Sequence, residues 1–158
     1  MKTALKKTPA LIGKKIGDVV AVGLDEGLFC YVRKFAFGYG ILPFFSKITV
    51  LNADQLPTVN AEIYFDVWVY IDDPTPMKFV GSFPFEIAEE SWGEPAFEPP
   101  DVIEPCYKIH GVFNGLSSII KPATEEQIAG MRVLKRYQPA QFGDFLAKYR
   151  SSWPTIIK

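Results

Sequence analysis

The most regular hydrophobic pattern in the chain runs through residues 61–71, where side chains alternate with a period of two. One face would carry Ile63, Phe65, Val67, Val69 and Ile71, and the other Tyr64, Asp66, Trp68 and Tyr70. This period and the β-branched and aromatic content are typical of a strand covered on one side. We therefore predict a central strand, whose aromatic face either packs under C-terminal helices or forms an exposed binding face.

Turn residues divide the chain before this segment into further strands. Residues 25–27, Asp-Glu-Gly, separate two alternating apolar segments at 19–24 and 28–33, and this arrangement predicts a hairpin. Residues 41–50 form a third predicted strand. Because Pro43 cannot donate to a strand ladder, it should mark a strand start, an edge or a bulge.

The pattern changes again after the central strand. Residues 77–85 read as a fifth strand, in which Gly81 should mark a bulge or a close approach of two backbones. Residues 86–105 contain several prolines and acidic residues without periodicity, which predicts a long irregular loop. Asn114 and Gly115 then lie between two apolar segments, and this pair predicts a second hairpin with a type I′ turn.

Helical spacing replaces the period of two near the C-terminus. Residues 124–127, Thr-Glu-Glu-Gln, form a capping box, and Ile128, Met131 and Leu134 follow at helical spacing. After Pro139 comes a second helical stripe of Phe142, Phe145, Leu146 and Tyr149. We predict two helices, which would cover the aromatic face of the central strand through Phe142, Phe145 and Tyr149.

Strands followed by helices, without βαβ alternation, predict an α+β fold. We expect a mostly antiparallel sheet, either strongly bent or closed into a small β-barrel, with the two C-terminal helices packed on it. The predicted organisation is a flexible basic lead-in at 1–14 and a single domain at 15–158. That domain would be β-rich over 15–122, including the acidic loop, and helical over 123–158.

Charge and cysteine content indicate which partners and which cellular compartment to expect. The net charge is −1 at pH 7, so nothing global draws the chain to nucleic acid or an anionic membrane. The only two cysteines, Cys30 and Cys106, are far apart and lack metal-ligand spacing, which favours reduced thiols in the cytoplasm. We expect neither a signal peptide nor a transmembrane helix.

Candidate catalytic chemistry is sparse. His110, the only histidine, falls in a predicted strand and is expected to be structural rather than a catalytic base. Asp72 and Asp73 precede a proline and fit a turn better than a cation site. We predict no catalytic residue, metal site or cofactor; an enzyme using Asp66, Asp72 and Asp73 is the weakest alternative.

The acidic loop is the best candidate for function. No Lys or Arg occurs between Lys78 and Lys108. One interpretation is a solvated loop whose charges only favour solubility. The other is a docking surface for a basic partner, in which aromatic anchors lie among carboxylates. The predicted partner-binding residues are Glu89, Glu90, Trp92, Glu94, Phe97, Glu98 and Asp101.

Short segments spread over residues 16–138 resemble the immunity protein 26 family of bacterial polymorphic toxin systems. They are residues 17–22, Gly-Asp-Val-Val-Ala-Val, with Leu24 and the turn at 25–27; residues 80–84, Val-Gly-Ser-Phe-Pro; Pro95 and Phe97; and residues 124–126 leading to Gly130. The resemblance implies a non-enzymatic cytoplasmic protein that binds and neutralises a cognate toxin domain, often a nuclease.

Nuclease toxins are commonly basic, so an acidic inhibitor surface would speed association and occupy the place of phosphates. The expected partner is thus a basic toxin protein, with no role for nucleic acid or a membrane; the pattern leaves the oligomeric state open. The alternative function is a small β-barrel binding module that recognises a peptide, a nucleic acid or a partner subunit through its aromatic face.

Overall fold

A computed structural model describes residues 15–47, 56–67 and 75–157. The strands are β1 Asp18–Gly23, β2 Phe29–Lys34, β3 Tyr39–Ser46, β4 Ile63–Val67, β5 Met77–Ser82, β6 Ala96–Glu98, β7 Tyr107–Phe113, β8 Leu116–Ala123, β9 Arg132–Val133, β10 Arg136–Tyr137 and β11 Thr155–Ile156. The α-helices are α1 Glu125–Ile128 and α2 Phe142–Phe145. Short 3-10 helices occur at Asp25–Gly27, Ala88–Ser91, Pro139–Gln141 and Ala147–Tyr149. The predicted lead-in at 1–14 lies outside the described residues.

The strands form two sheets. The first has the order β10-β4-β3-β2-β1-β5, with β11 also paired to β3, and the second has the order β8-β7-β6-β9. The pairs are antiparallel except for β10 with β4, β11 with β3 and β6 with β9. The predicted α+β class is therefore confirmed, but the first sheet is open rather than closed into a barrel.

Local turn chemistry produces both predicted hairpins. β1 pairs with β2 across the 3-10 turn, and β7 pairs with β8 so that Phe113 lies opposite Leu116. Asn114 and Gly115 between them have φ values of 53° and 77°. A type I′ turn needs positive φ at both central positions, which these two residues adopt at low cost.

Two predicted irregularities are also confirmed. β1 pairs Val19 with Gly81 but Val20 with Phe79, so Val80 is an extra residue on β5 beside Gly81. Between the pairs Cys30–Phe45 and Val32–Ile41, three residues of β3 face one residue of β2, and Pro43 is the middle one. A bulge suits proline, because the residue there need not donate to the ladder.

Strands β1 to β3 are buried on both faces. One face contributes Val22, Cys30, Val32, Ile41 and Phe45 to a core cluster that also contains Phe65, Phe142, Leu146 and Trp153. The opposite face contributes Val19, Ala21, Tyr31, Leu42 and Phe44 to a second cluster. The interior strands of the first sheet are thus covered on both faces, and they read as continuous apolar runs.

The prediction about the faces of β4 is wrong. Phe65, which is fully buried, carries the face that packs on α2, and its ring meets Phe142 edge to face at 5.1 Å. Tyr64 points away and meets Phe35 instead, at 5.2 Å. β4 also lies next to the short β10 near the sheet edge rather than at its centre. Trp68 lies outside the described residues, as does Tyr70.

The C-terminal part is less helical than predicted. The capping box is present, with Gln127 N donating to Thr124 Oγ1 at 3.2 Å and Thr124 N donating to Gln127 Oε1 at 2.8 Å. α1 nevertheless ends after one turn and buries no residue, because Gly130, at φ 75°, redirects the chain. Leu134 then enters a core cluster with Phe37 and Ala96. The segment predicted as helical also contains β9, β10 and β11.

Candidate functional site

The acidic segment at 86–105 is not one irregular loop. Its first part contains the 3-10 helix at Ala88–Ser91, and its middle forms β6, which pairs with β7 and β9. β6 escapes prediction because Pro95 precedes it and Pro99 follows it, leaving only three residues for the strand. The strand is stabilised by its two neighbours rather than by a periodic pattern.

Backbone contacts fix the position of the first part. Ala36 N donates to Ser91 O at 2.7 Å, and Phe37 N donates to Trp92 O at 3.2 Å. Gly93 has φ 81°, and a Cβ there would lie 2.6 Å from Phe37 O, so only glycine fits. The acidic 3-10 helix is therefore held against the turn between β2 and β3.

Most of the predicted docking carboxylates are exposed. Glu89 and Glu90 lie in the 3-10 helix, and Glu94 and Asp101 lie on either side of β6. Glu94 is close to one cation, since its Oε2 lies 4.0 Å from Arg132 Nε. These four carboxylates are exposed to solvent, and we call them together the acidic surface.

Glu98 differs from the other predicted carboxylates, because basic side chains from both sheets surround it. Arg136 Nη2 donates to Glu98 Oε1 at 3.1 Å, His110 Nε2 lies 2.5 Å from the same oxygen, and Lys108 Nζ lies 3.6 Å from Oε2. Burial raises the pKa of Glu98, but the hydrogen bond and charge of Arg136, with the charges of His110 and Lys108, bring it below its usual value. Glu98 thus links β6 of the second sheet to β10 of the first, and its predicted role in partner binding stays a prediction.

The two predicted aromatic anchors are only half-exposed. Phe97 lies in β6 with its ring edge to face with Tyr107 at 6.1 Å, and Trp92 follows the anchored 3-10 helix. Neither side chain projects freely from the surface. Sequence reasoning placed the apolar contact on these two large side chains, and their role as anchors stays a prediction.

The most exposed large apolar residues of this region are Val102 and Ile103, which are 100% and 91% exposed. Asp101 shapes their loop: its Oδ1 accepts hydrogen bonds from Ile103 N at 2.8 Å and Glu104 N at 2.6 Å. These backbone hydrogen bonds, above all that from Glu104, lower the pKa of Asp101. The loop therefore presents two aliphatic side chains in a defined conformation, and the signal in the sequence was an aspartate followed by two apolar residues.

The described residues bear on the candidate metal and acid–base groups. They contain no group of three or more His, Cys, Asp or Glu side chains that could hold a metal ion. His110 lies in β7, as predicted, beside Glu98. Asp72 and Asp73 lie outside the described residues, so their alternative role stays a prediction. Burial raises the pKa of Tyr64, the one described aromatic residue of the alternative binding face.

Comparisons of the chain with protein-family models, with curated proteins and with solved structures find no match. In the parts of the chain that the structure describes, no helix is long and apolar enough to cross a membrane.

Proposed function

We propose that this chain is a non-enzymatic immunity protein that binds and neutralises a basic toxin domain, such as a nuclease, in the bacterial cytoplasm. The observation that carries the proposal is the acidic surface, whose Glu89, Glu90, Glu94 and Asp101 carboxylates are exposed on an anchored backbone. Carboxylates held in place attract a basic partner over a distance and need little ordering when it docks. The resemblance described above supplies the class of partner.

A second feature supports a protein as the partner. Val102 and Ile103 adjoin Asp101 of the acidic surface and would lose almost all their solvent contact in a complex. Burying aliphatic side chains of this size contributes about 1.5–3 kcal/mol each. The charges of the acidic surface would then govern the association rate, and burial of Val102 and Ile103 would govern the dissociation rate.

Survival of cells tests the function directly. The C-terminal domain encoded by the adjacent gene is induced in cells with and without this protein. Rescue, together with a complex recovered from the lysate, is the expected result. Equal killing in both strains, or a neighbouring product without toxicity, would refute the proposal.

Association kinetics then test the surface with matched variants. Glu89→Gln with Glu94→Gln should slow association about two- to tenfold at low salt and flatten its salt dependence. Glu125→Gln with Glu126→Gln removes the same charge from exposed positions of α1 and should change the rate little. Equal slowing by both pairs would show that net charge, not the acidic surface, governs association.

A second pair of variants tests the apolar tip, by which we mean the exposed side chains of Val102 and Ile103. Ile103→Ser should raise the dissociation rate with little effect on folding, because the side chain is almost fully exposed. Leu116→Ser serves as the control, because Leu116 lies in the β7–β8 hairpin and is 70% exposed. An unchanged dissociation rate in Ile103→Ser would exclude this loop from the interface.

A further inference from the structure

Arg33 of β2 is a buried cation in the first sheet, only 4% exposed. Its Nη1 donates to Val59 O at 2.9 Å, and its Nη2 donates to Phe83 O. The guanidinium carbon lies 3.6 Å from the centre of the Phe85 ring. The guanidinium has further donors, and Nε is buried without a hydrogen-bond partner among the described residues.

Both bonded partners of Arg33 are neutral carbonyls. None of the ion pairs within the described residues involves Arg33. A buried charge is costly unless an opposite charge and hydrogen bonds compensate it. Glu90 acts on the Arg33 charge from beyond ion-pair distance, so the described residues leave room for an anion in direct contact with the guanidinium.

Arg33 lines a cavity of about 300 Å³. The rings of Phe35, Tyr64 and Phe85 line it too, and Phe35 packs against both others, at 5.2 Å from Tyr64 and 5.0 Å from Phe85. Glu90 also lines the cavity and is exposed to solvent. A cavity with aromatic walls and one buried guanidinium has the composition of a small-ligand site, at the lower end of the usual volume range.

We propose that this cavity binds a small monocarboxylate with a compact apolar body, its carboxylate on Arg33 and its body among Phe35, Tyr64 and Phe85. A planar carboxylate matches the guanidinium fork. Glu90 disfavours a doubly charged anion such as phosphate, because its own negative charge lines the same space. This inference is independent of the proposed function, and it needs no protein partner.

Titration of the isolated chain with small probes, monitored by amide chemical shifts, tests the site. The probes are benzoate, its neutral analogue benzamide, and inorganic phosphate. Benzoate at millimolar concentrations should shift resonances around residues 59–64 and 83–90, whereas benzamide and phosphate should not. No shift with benzoate would overturn the proposal, as would equal binding of benzamide or tighter binding of phosphate.

Two neighbouring carboxylates give a matched pair of variants. Glu90→Gln should tighten benzoate binding about two- to tenfold, because it removes a negative charge from the cavity wall. Glu89→Gln removes the same charge from the same exposed 3-10 helix, outside the residues that line the cavity. Equal affinities in the two variants would overturn the assigned position of the ligand.

Arg33→Lys keeps the positive charge but loses the fork, and it should weaken benzoate binding at least about tenfold. The amide spectrum of this variant reports whether it folds. Unchanged affinity in a folded Arg33→Lys protein would overturn the role of Arg33. The Glu90 and Glu89 pair tests the site even if this variant fails to fold.

Discussion

Replacing Phe142 with alanine would test how the C-terminal segment is held on the sheet. α2 is a single turn of four residues, and a helix this short is not stable alone in water. Its Phe142 side chain is fully buried, with ring contacts to Phe65 at 5.1 Å and Phe145 at 5.4 Å. Packing of this side chain should therefore hold α2 on the first sheet.

The expected loss in the free energy of unfolding depends on how deeply Phe142 is buried and on how little its neighbours can move. A buried Phe→Ala substitution costs about 3–5 kcal/mol, and the cost rises when the cavity cannot collapse. Phe65 lies in a strand and Trp153 is 7% exposed in the same cluster, so neither neighbour is free to fill the space. We expect Phe142→Ala to lower the free energy of unfolding by about 4 kcal/mol, a large part of the roughly 5–15 kcal/mol of a typical domain.

Urea unfolding followed by tryptophan fluorescence and far-ultraviolet circular dichroism measures this change. Phe145→Ala is the control: its side chain is half-buried and stacked on Tyr137 at 4.0 Å, so we expect a loss of about 1–2 kcal/mol. A loss below about 1 kcal/mol for Phe142→Ala would refute the reasoning. So would separate transitions for the two probes, because they would show that the C-terminal segment unfolds independently of the sheet.

Two further predictions concern titratable groups. Since the folded state lowers the pKa of Glu98, this carboxylate stabilises the fold above its ordinary pKa of 4.5, and the stabilisation is lost as the pH falls below that value. The unfolding free energy of Glu98→Gln should fall less steeply than that of the wild type in this acid range, and parallel curves would contradict the prediction. Burial raises the pKa of the Cys30 thiol, so native Cys106→Ser protein should resist a thiol reagent at mildly alkaline pH until it is unfolded; rapid labelling of the native variant would show that the core opens.

Features that depend on local chemistry could be predicted from the sequence. The Asn114–Gly115 turn, the capping box at Thr124 and the bulge at Gly81 each follow from the backbone preferences of one or two residues. The class of fold follows from the order of these elements. Such signals are encoded within a few positions, so distant parts of the chain cannot easily override them.

Features that depend on distant contacts could not be predicted. After α1 ends and Gly130 redirects the chain, Leu134 packs against Phe37 and Ala96. No helical stripe in the sequence reveals that contact. Glu98 looked like its acidic neighbours, yet its pairing with Arg136 spans 38 positions. Exposure likewise differs from what side-chain type indicates, since Val102 and Ile103 are exposed while Trp92 and Phe97 are half-exposed.

Arg33 shows why this limit matters for function. Alternation along β2 places its cation opposite the apolar face of Cys30 and Val32, where a sheet with one wet side would expose it to water. The first sheet is covered on both sides instead, so the guanidinium is enclosed by segments 26 and 50 positions away, at Val59 and Phe83. The alternating pattern correctly predicts the strand, but it leaves Arg33 buried because the face that would otherwise be in water is also covered. Because the two carbonyls compensate that charge poorly, a small anion bound in the cavity beside Arg33 would stabilise the folded chain.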